Sequence, residues 1–234
     1  GNSLHGTPMA SMTGGMDMMS AFSAAGYDLQ AVSLWDMAYG NSRLLSDANM
    51  AAGPTLASNL QDANGTPVLY RSTSWNRNKV TDGQTAVIER AGYKIGFFSL
   101  NEPNGTVFST FNSEGFSPAD FTENAARQIE ALQKQGVDAI VCIASTAPAD
   151  NGWQKALLKQ GVDAIITTAA SADSDRVLAA GLGTDGLARL DLTFTQGGGC
   201  TVTVQPALTA AELDAARTDL TAAAATARDS EDDP

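Results

Sequence analysis

Lys134-Gln135-Gly136-Val137-Asp138-Ala139-Ile140 recurs, residue for residue, as Lys159-Gln160-Gly161-Val162-Asp163-Ala164-Ile165. Both copies have the same grammar: the end of a polar-apolar segment, a glycine, then a short apolar run. Upstream of the first copy, Phe121, Ala125, Ile129 and Leu132 recur at helical spacing. Gly136 is the residue type that closes such a helix in the left-handed conformation. Downstream, residues 137–143 are almost continuously apolar, the pattern of a strand buried on both faces. Two copies are too few for a solenoid, which needs about three units to bury a continuous core. The echo therefore predicts two successive αβ units of one layered sheet. Ser117-Pro118-Ala119-Asp120 predicts the start of the first helix, with Ser117 as N-cap and Pro118 at the first helical position.

The rhythm extends in both directions. Residues 16–25 predict a helix ended by Gly26, followed by a strand over 29–35. Residues 54–60 and 67–70 predict short extended pieces, with a polar loop over 71–82. Residues 85–89 and 93–100 flank Ala91-Gly92 and predict a β-hairpin, with a long surface loop over 101–114. Further strands are expected at 176–180, 187–194 and 200–204, the last two joined by Gly197-Gly198-Gly199. Thr209-Ala210-Ala211-Glu212 reads as a capping box opening an Ala-rich helix to about Ala227. An acidic tail follows at 229–234. The expected organisation is an α/β layered domain with a mixed sheet over residues 1–208, and a C-terminal helix and tail over 209–234.

Composition narrows the function. A chain of 234 residues, 43% hydrophobic and 17% charged, has enough apolar material for a real core. A formal charge of -12 argues against nucleic acid as a partner, since phosphate-backbone binding needs clustered Lys and Arg. No apolar run approaches the roughly 18 to 20 residues that span a bilayer, and no signal-peptide pattern lies in this stretch, so membrane insertion is not expected. Cys142 and Cys200 sit in apolar or β-branched runs, which suits buried thiols better than a disulfide framework, with a single bridge left open. The sole histidine is His5. One imidazole limits both metal ligation and proton transfer near neutral pH.

Through Gly1-Asn2-Ser3-Leu4-His5-Gly6-Thr7-Pro8, Gly26-Tyr27-Asp28 and the predicted strand ends that follow them, the chain resembles the 5'-nucleotidase branch of the calcineurin-like metallophosphoesterases. Gly1-Asn2-Ser3-Leu4-His5-Gly6-Thr7-Pro8 is similar to that family's Gly-Asp-x-x-x-Gly-Thr-Pro segment, and Gly26-Tyr27-Asp28 to the end of its next helix. Tyr39-Gly40, residues 54–59, 93–98, 136–141 and 190–194 match in order and spacing. The resemblance covers nearly the whole chain. It implies a layered α-β-β-α sandwich with mixed sheets, whose first strand, carrying Asp-x-His ligands, lies upstream of Gly1. It also implies export to a periplasmic, cell-surface or extracellular location.

The family's chemistry uses two metal ions, held by Asp, His and Asn, to activate water and stabilise phosphoryl oxygens. Carried over position by position, the resemblance implies that this apparatus is lost. Its bridging Asp is Asn2, a neutral and weaker ligand. Its Gly-Asn-His-Glu motif is replaced by Trp35-Asp36-Met37-Ala38. Its next His falls in Ala144-Ser145-Thr146-Ala147, and its closing Gly-His-x-His is Thr168-Ala169-Ala170-Ser171-Ala172. The degenerate positions are thus Asn2, Asp36, Ser145, Thr168 and Ser171, with no catalytic, cofactor or metal residue expected.

Each remaining candidate has a plainer reading. His5 is expected to be a surface or loop-packing histidine, and Asp36 a strand-terminal cap in place of a lone acid in the cleft. Asp150, Asp173 and Asp175 lack the spacing of a calcium loop and are expected to form a solvated acidic rim. Ser145-Thr146 has no histidine base and no nucleophile elbow. Met9, Met12, Met16, Met18 and Met19 are expected to fill core, and Trp35 and Trp153 to occupy space vacated by metals. The functional expectation is a catalytically inactive domain that binds an unidentified protein or small-molecule ligand or serves as a scaffold. The alternative is a phosphohydrolase completed by an upstream segment or a partner chain.

Overall fold

The computed structural model describes residues 3–70, 82–102, 115–150, 152–169, 172, 174–179, 186–195, 198–209, 211–212 and 214–215. At its centre are the two echoed units. Helix α4 (Phe121–Lys134) leads to strand β7 (Ala139–Ala144), and α5 (Gly152–Lys159) to β8 (Ala164–Thr167). Gly136 and Gly161 both take positive φ, 66° and 103°, as helix closure requires. The β-hairpin forms as predicted from β4 (Ala86–Arg90) and β5 (Tyr93–Leu100). Ala91 and Gly92 both lie at positive φ in its turn, the geometry that matches strand twist. With β9 (Val177–Ala179), these strands make one sheet in the order β4-β5-β7-β8-β9. Strand β4 is antiparallel to β5, and the other pairs are parallel.

The repeated aspartate has the same task in each unit. Asp138 donates its N–H to Lys94 O at 2.7 Å and accepts the Lys94 N–H on Oδ2 at 2.7 Å. Asp163 does the same to Ile140, at 2.8 Å for each bond. Each Asp thus clamps both backbone groups of one residue where a parallel strand enters the sheet.

Helices α4 and α5 cover one face of this sheet, burying Phe121, Ala125, Ile129 and Leu132 against Phe98, Leu100, Ile140 and Ile165. Four other strands take part in layering. They are β1 (Gln30–Ala31), parallel to β2 (Thr55–Leu56), and β10 (Gly186–Phe194), antiparallel to β11 (Cys200–Thr209). Ala31 and Leu56 meet Phe97 and Ile143 across the second face of the large sheet. Val202, Leu190 and Leu192 meet Val141 and Ala164 there. Beyond β1 and β2, α2 (Met16–Ala24) and α3 (Asn41–Met50) close a further core around Met19, Leu34, Met37 and Leu44. The architecture is therefore an α-β-β-α sandwich with mixed sheets. A short helix, α1 (Pro8–Thr13), precedes α2.

Several local expectations are corrected. The strand over 29–35 is only Gln30–Ala31, because Ser33 and Asp36 form a capping box that turns Leu34–Met37 into a 3₁₀ helix. Ser117 is not the N-cap of α4. Ser117–Pro118 forms β6, antiparallel to β3 (Leu60–Gln61), and Asp120 caps the helix through the Glu123 N–H at 2.7 Å. Met9, Met12 and Met16 are exposed, and only Met19 of the five is fully buried. Trp35 is exposed, while Trp153 packs edge-on to Phe121 in the core under α4 and α5. Strand β11 runs through Thr209, where the capping box closes: Glu212 N–H reaches Thr209 Oγ1 at 3.3 Å, and Glu212 Oε2 accepts the Thr209 N–H at 2.7 Å. The expected helix beyond residue 215, the tail and the loops over 71–81 and 103–114 lie outside the described residues. Cys142 is buried, Cys200 half-buried, and both are free thiols.

Candidate functional site at the strand ends

In a parallel sheet the chemistry gathers beyond the carboxyl ends of the strands. There β1, β2, β5, β7 and β8 end in polar residues whose hydrogen bonds join one loop to the next. Asn59, after β2, donates from Nδ2 to Asn101 O at 2.7 Å and to Ala119 O at 3.1 Å, and its Oδ1 accepts the Asn101 N–H at 2.9 Å. Asn101, after β5, donates from Nδ2 to Val32 O at 3.0 Å, beyond β1. Ser58 and Ser99 exchange backbone N–H to Oγ bonds at 3.2 and 2.8 Å.

The seam continues across β7 and β8. Ser145 N–H extends the ladder to Leu100 O at 2.9 Å. Thr146 Oγ1 accepts the Glu102 N–H at 2.8 Å, and Thr168 Oγ1 donates to Ser145 O at 3.0 Å. Asn59, Ser99, Asn101 and Ser145 are all buried. This neutral seam is the feature that sequence reasoning missed. Its partners lie 23 to 69 residues apart and leave no local motif.

Asp36 is also buried, and it is occupied by backbone. Its Oδ1 accepts the N–H groups of Ser3 and Leu4 at 2.8 and 2.9 Å. Its Oδ2 accepts Ser33 N–H at 2.8 Å and Ser33 Oγ–H at 3.1 Å. Those four bonds match the roughly four lone-pair sites of a carboxylate. The residue completes the capping box of the 3₁₀ helix, whose N-cap is Ser33, and tethers the N-terminal segment.

The other candidates do not converge on it. His5 stacks on Trp35 with ring centroids 5.6 Å apart and planes 18° apart, and Tyr39 lies tilted at 6.1 Å. Ser145 Oγ and Asn101 Oδ1 are buried without a hydrogen-bond partner. Asp150 is exposed and accepts the Gly152 N–H at 3.0 Å, at the start of α5. Asp175 is exposed in the turn before β9, bonded by Ser174 Oγ at 3.1 Å. Asn2, Ser171 and Asp173 lie outside the described residues. Glu102 is the one acid here whose carboxyl is pushed upward, first by burial and then by the charges of Asp120 and Asp150.

Two dications need several anionic or imidazole donors on one cavity. Among the described residues no three of His, Cys, Asp and Glu are grouped so as to hold a metal ion. Asp36 has both oxygens engaged, and the hydroxyls of Ser145 and Thr168 are poor replacements for imidazole. The described donor set does not fit a dinuclear centre.

No protein-family model and no curated protein sequence matches the chain. Solved structures do. Sulfate thiohydrolase SoxB from Thermus thermophilus superposes with a TM-score of 0.67 at 17% identity, over 87% of this chain and 37% of its own. The calcineurin-like phosphoesterase YfkN from Bacillus subtilis gives 0.60 at 17% identity, over 88% of this chain and 77% of its own. A 5'-nucleotidase precursor from Thermus thermophilus gives 0.56 at 19%, over 87% of this chain and 38% of its own. The chain thus spans well under half the length of two of these three structures. The likeness is one of fold: this is a metallophosphoesterase-like α-β-β-α domain.

Proposed function

We propose that this chain is a 5'-nucleotidase-like domain that has lost its metal chemistry and serves as a binding or scaffold domain. One observation carries the reading. Among the described residues at the strand ends, the buried side chains are neutral amides and hydroxyls, most of them bonded to backbone groups, and the buried carboxylate there, Asp36, accepts hydrogen bonds from Ser3, Leu4 and Ser33. A buried carboxylate held this way cannot swing to a metal without stranding three backbone N–H groups, each costing about 1 to 3 kcal/mol. The proposal extends to 1–208 as the domain, 209–234 as an appended helix and tail, no resident cofactor, and an exported location like that of the family it resembles. No described helix is long and apolar enough to cross a membrane.

Metal analysis of the purified full-length gene product, with a phosphatase assay in manganese and in zinc, tests the reading. The expected result is less than one tightly bound metal per chain and no metal-dependent turnover. Two tightly bound metals with metal-dependent turnover would overturn it, in favour of a phosphohydrolase completed by an upstream segment or a partner chain.

A further inference from the structure

A helix facing water normally carries charge on its outer side. The outer side of α1 and the start of α2 carries thioethers instead. Met9 is 60% exposed, Met12 87% and Met16 38%. Across residues 6–26 the sole charged side chain is Asp17. Tyr39 Oη reaches Ser11 Oγ at 3.2 Å, which brings the Tyr39, His5 and Trp35 rings, of which Trp35 is 39% exposed, up to a neighbouring side of α1.

This face is held rigidly. Arg43 donates from Nε to Gly14 O at 2.9 Å and from Nη2 to Thr13 O, satisfying carbonyls at the end of α1. It also pairs with the buried Asp47 at 3.1 Å. A Cβ on Gly15, at φ +95°, would stand 2.9 Å from Asp47 Oδ2, so the α1–α2 junction is seated on that ion pair. Such a surface loses little conformational freedom on association.

We propose that this face docks a basic amphipathic helix of another protein. Methionines fill irregular apolar surfaces without demanding one shape, and Trp, Tyr and Met are enriched while Lys and Glu are depleted at the centres of interfaces. A helix lying in such a face reads it with residues at i, i+3, i+4 and i+7. The sign of the partner follows from charge. Residues 1–42 contain no Lys or Arg, the first cation, Arg43, is neutralised by Asp47, and the whole chain carries -12. That field attracts a basic rim, raises the association rate and opposes a second copy of this chain. The inference is independent of the metal question, because neither the methionines nor Ser11 belongs to the strand-end seam.

The test uses the full chain and an 18-residue amphipathic Leu/Lys helix, with binding read by calorimetry and Trp fluorescence. Its controls are a scrambled Leu/Lys peptide and a Leu/Glu helix. The expected result is micromolar binding of the Leu/Lys helix, at least tenfold weaker binding of both controls, and at least tenfold loss in the Met9→Gln/Met12→Gln variant. Both changed positions are exposed, so an unaltered urea midpoint certifies the variant's fold. Equal binding of the scrambled peptide would reduce the effect to charge and overturn the proposal. So would full affinity in the double variant. Sedimentation showing a dimer that the double variant abolishes would assign the face to a second copy, and capture by anionic or zwitterionic vesicles that the variant abolishes would assign it to lipid; either overturns the proposal.

Discussion

Asp163 holds Ile140 by both of its backbone groups, donating its own N–H to the Ile140 carbonyl and accepting the Ile140 N–H on Oδ2, each at 2.8 Å. The residue is half-buried, whereas its echo Asp138, which grips Lys94 in the same way, is exposed. Water can replace the lost acceptor at 138 more easily than at 163. Asp163→Ala is expected to cost about 2 kcal/mol and Asp138→Ala about 0.5 to 1 kcal/mol. Asp163→Asn, which keeps an acceptor, should cost less than Asp163→Ala. Urea unfolding of the three variants checks the order, and a larger loss at 138 would refute it.

That clamp also marks what the sequence could say. The echo announced two αβ units because helix period, closing glycine and buried strand are all local signals, and Gly136, Gly161, β7 and β8 fall where they were expected. Ser117 misled because its preference for an N-cap is local, while its actual role is pairing with Gln61, 56 residues away. The methionines misled for a related reason: helical spacing fixes which residues share a face, not whether another element covers it. At the site, the placing of Trp35, Ser145 and Thr168 at ligand positions comes from the family resemblance alone. The Asn59–Asn101 bonds that stitch the strand ends were not, since either asparagine alone reads as an ordinary loop residue.

Asp36 gives the sharpest mutational contrast. Replacing it by Ala removes an acceptor from the N–H groups of Ser3, Leu4 and Ser33 and from the Ser33 hydroxyl. The expected loss is about 3 to 4 kcal/mol, with the Ser3 and Leu4 amides exchanging with solvent first. Asp36→Asn should be intermediate, because its amide nitrogen faces donors. Hydrogen exchange and urea unfolding read both effects. Unchanged stability in Asp36→Ala would mean that the carboxylate is not the tether described.

Gly53 and Gly96 separate backbone from side-chain crowding. A Cβ at Gly53 would stand 2.1 Å from the Asp28 carbonyl oxygen, whereas one at Gly96 would meet Leu132 Cδ2 at 2.8 Å. A leucine methyl can move by rotation, but a backbone carbonyl moves only with its chain. Gly53→Ala is expected to cost more than about 3 kcal/mol and Gly96→Ala about 1 to 3 kcal/mol. A thermal or urea midpoint for each variant decides it, and equal midpoints would contradict the distinction.

Burial should slow the two thiols to different degrees. Burial pushes the Cys142 thiol far upward, and the half-buried Cys200 is raised by burial and then by the charge of Asp163. Only the thiolate is nucleophilic. Cys142 should resist an aromatic disulfide reagent until the chain unfolds, and Cys200 should react slowly in the native state. Fast native labelling of both would contradict this burial.

Stability should fall as pH rises above the ordinary carboxylate range of about 4 to 5. Burial, the largest effect in each case, raises the carboxyls of Asp47, Asp163 and Glu102; Arg43 opposes it at Asp47, the Ile140 N–H and Arg176 at Asp163, and Asp120 and Asp150 add to it at Glu102. A raised carboxyl binds its proton more tightly in the folded chain than in the unfolded one. Folding therefore takes up protons between the ordinary value and the raised one, and stability is lost as pH climbs through that window. Repulsion within a chain of charge -12 grows in the same direction. The lowered carboxyls of Asp62, Glu130, Asp191 and Glu212 act oppositely, losing stability as pH falls below the ordinary value, but Glu130 and Glu212 are exposed and Asp62 and Asp191 only half-buried, so solvent screening keeps their contribution small. The urea midpoint should be higher at pH 5 than at pH 7.5, and the Asp163→Asn/Glu102→Gln variant should flatten that slope by removing two of the three buried titrations. A midpoint that rises from pH 5 to pH 7.5, or a slope that the double variant leaves untouched, would show that these carboxyls do not control the acid side of the stability profile.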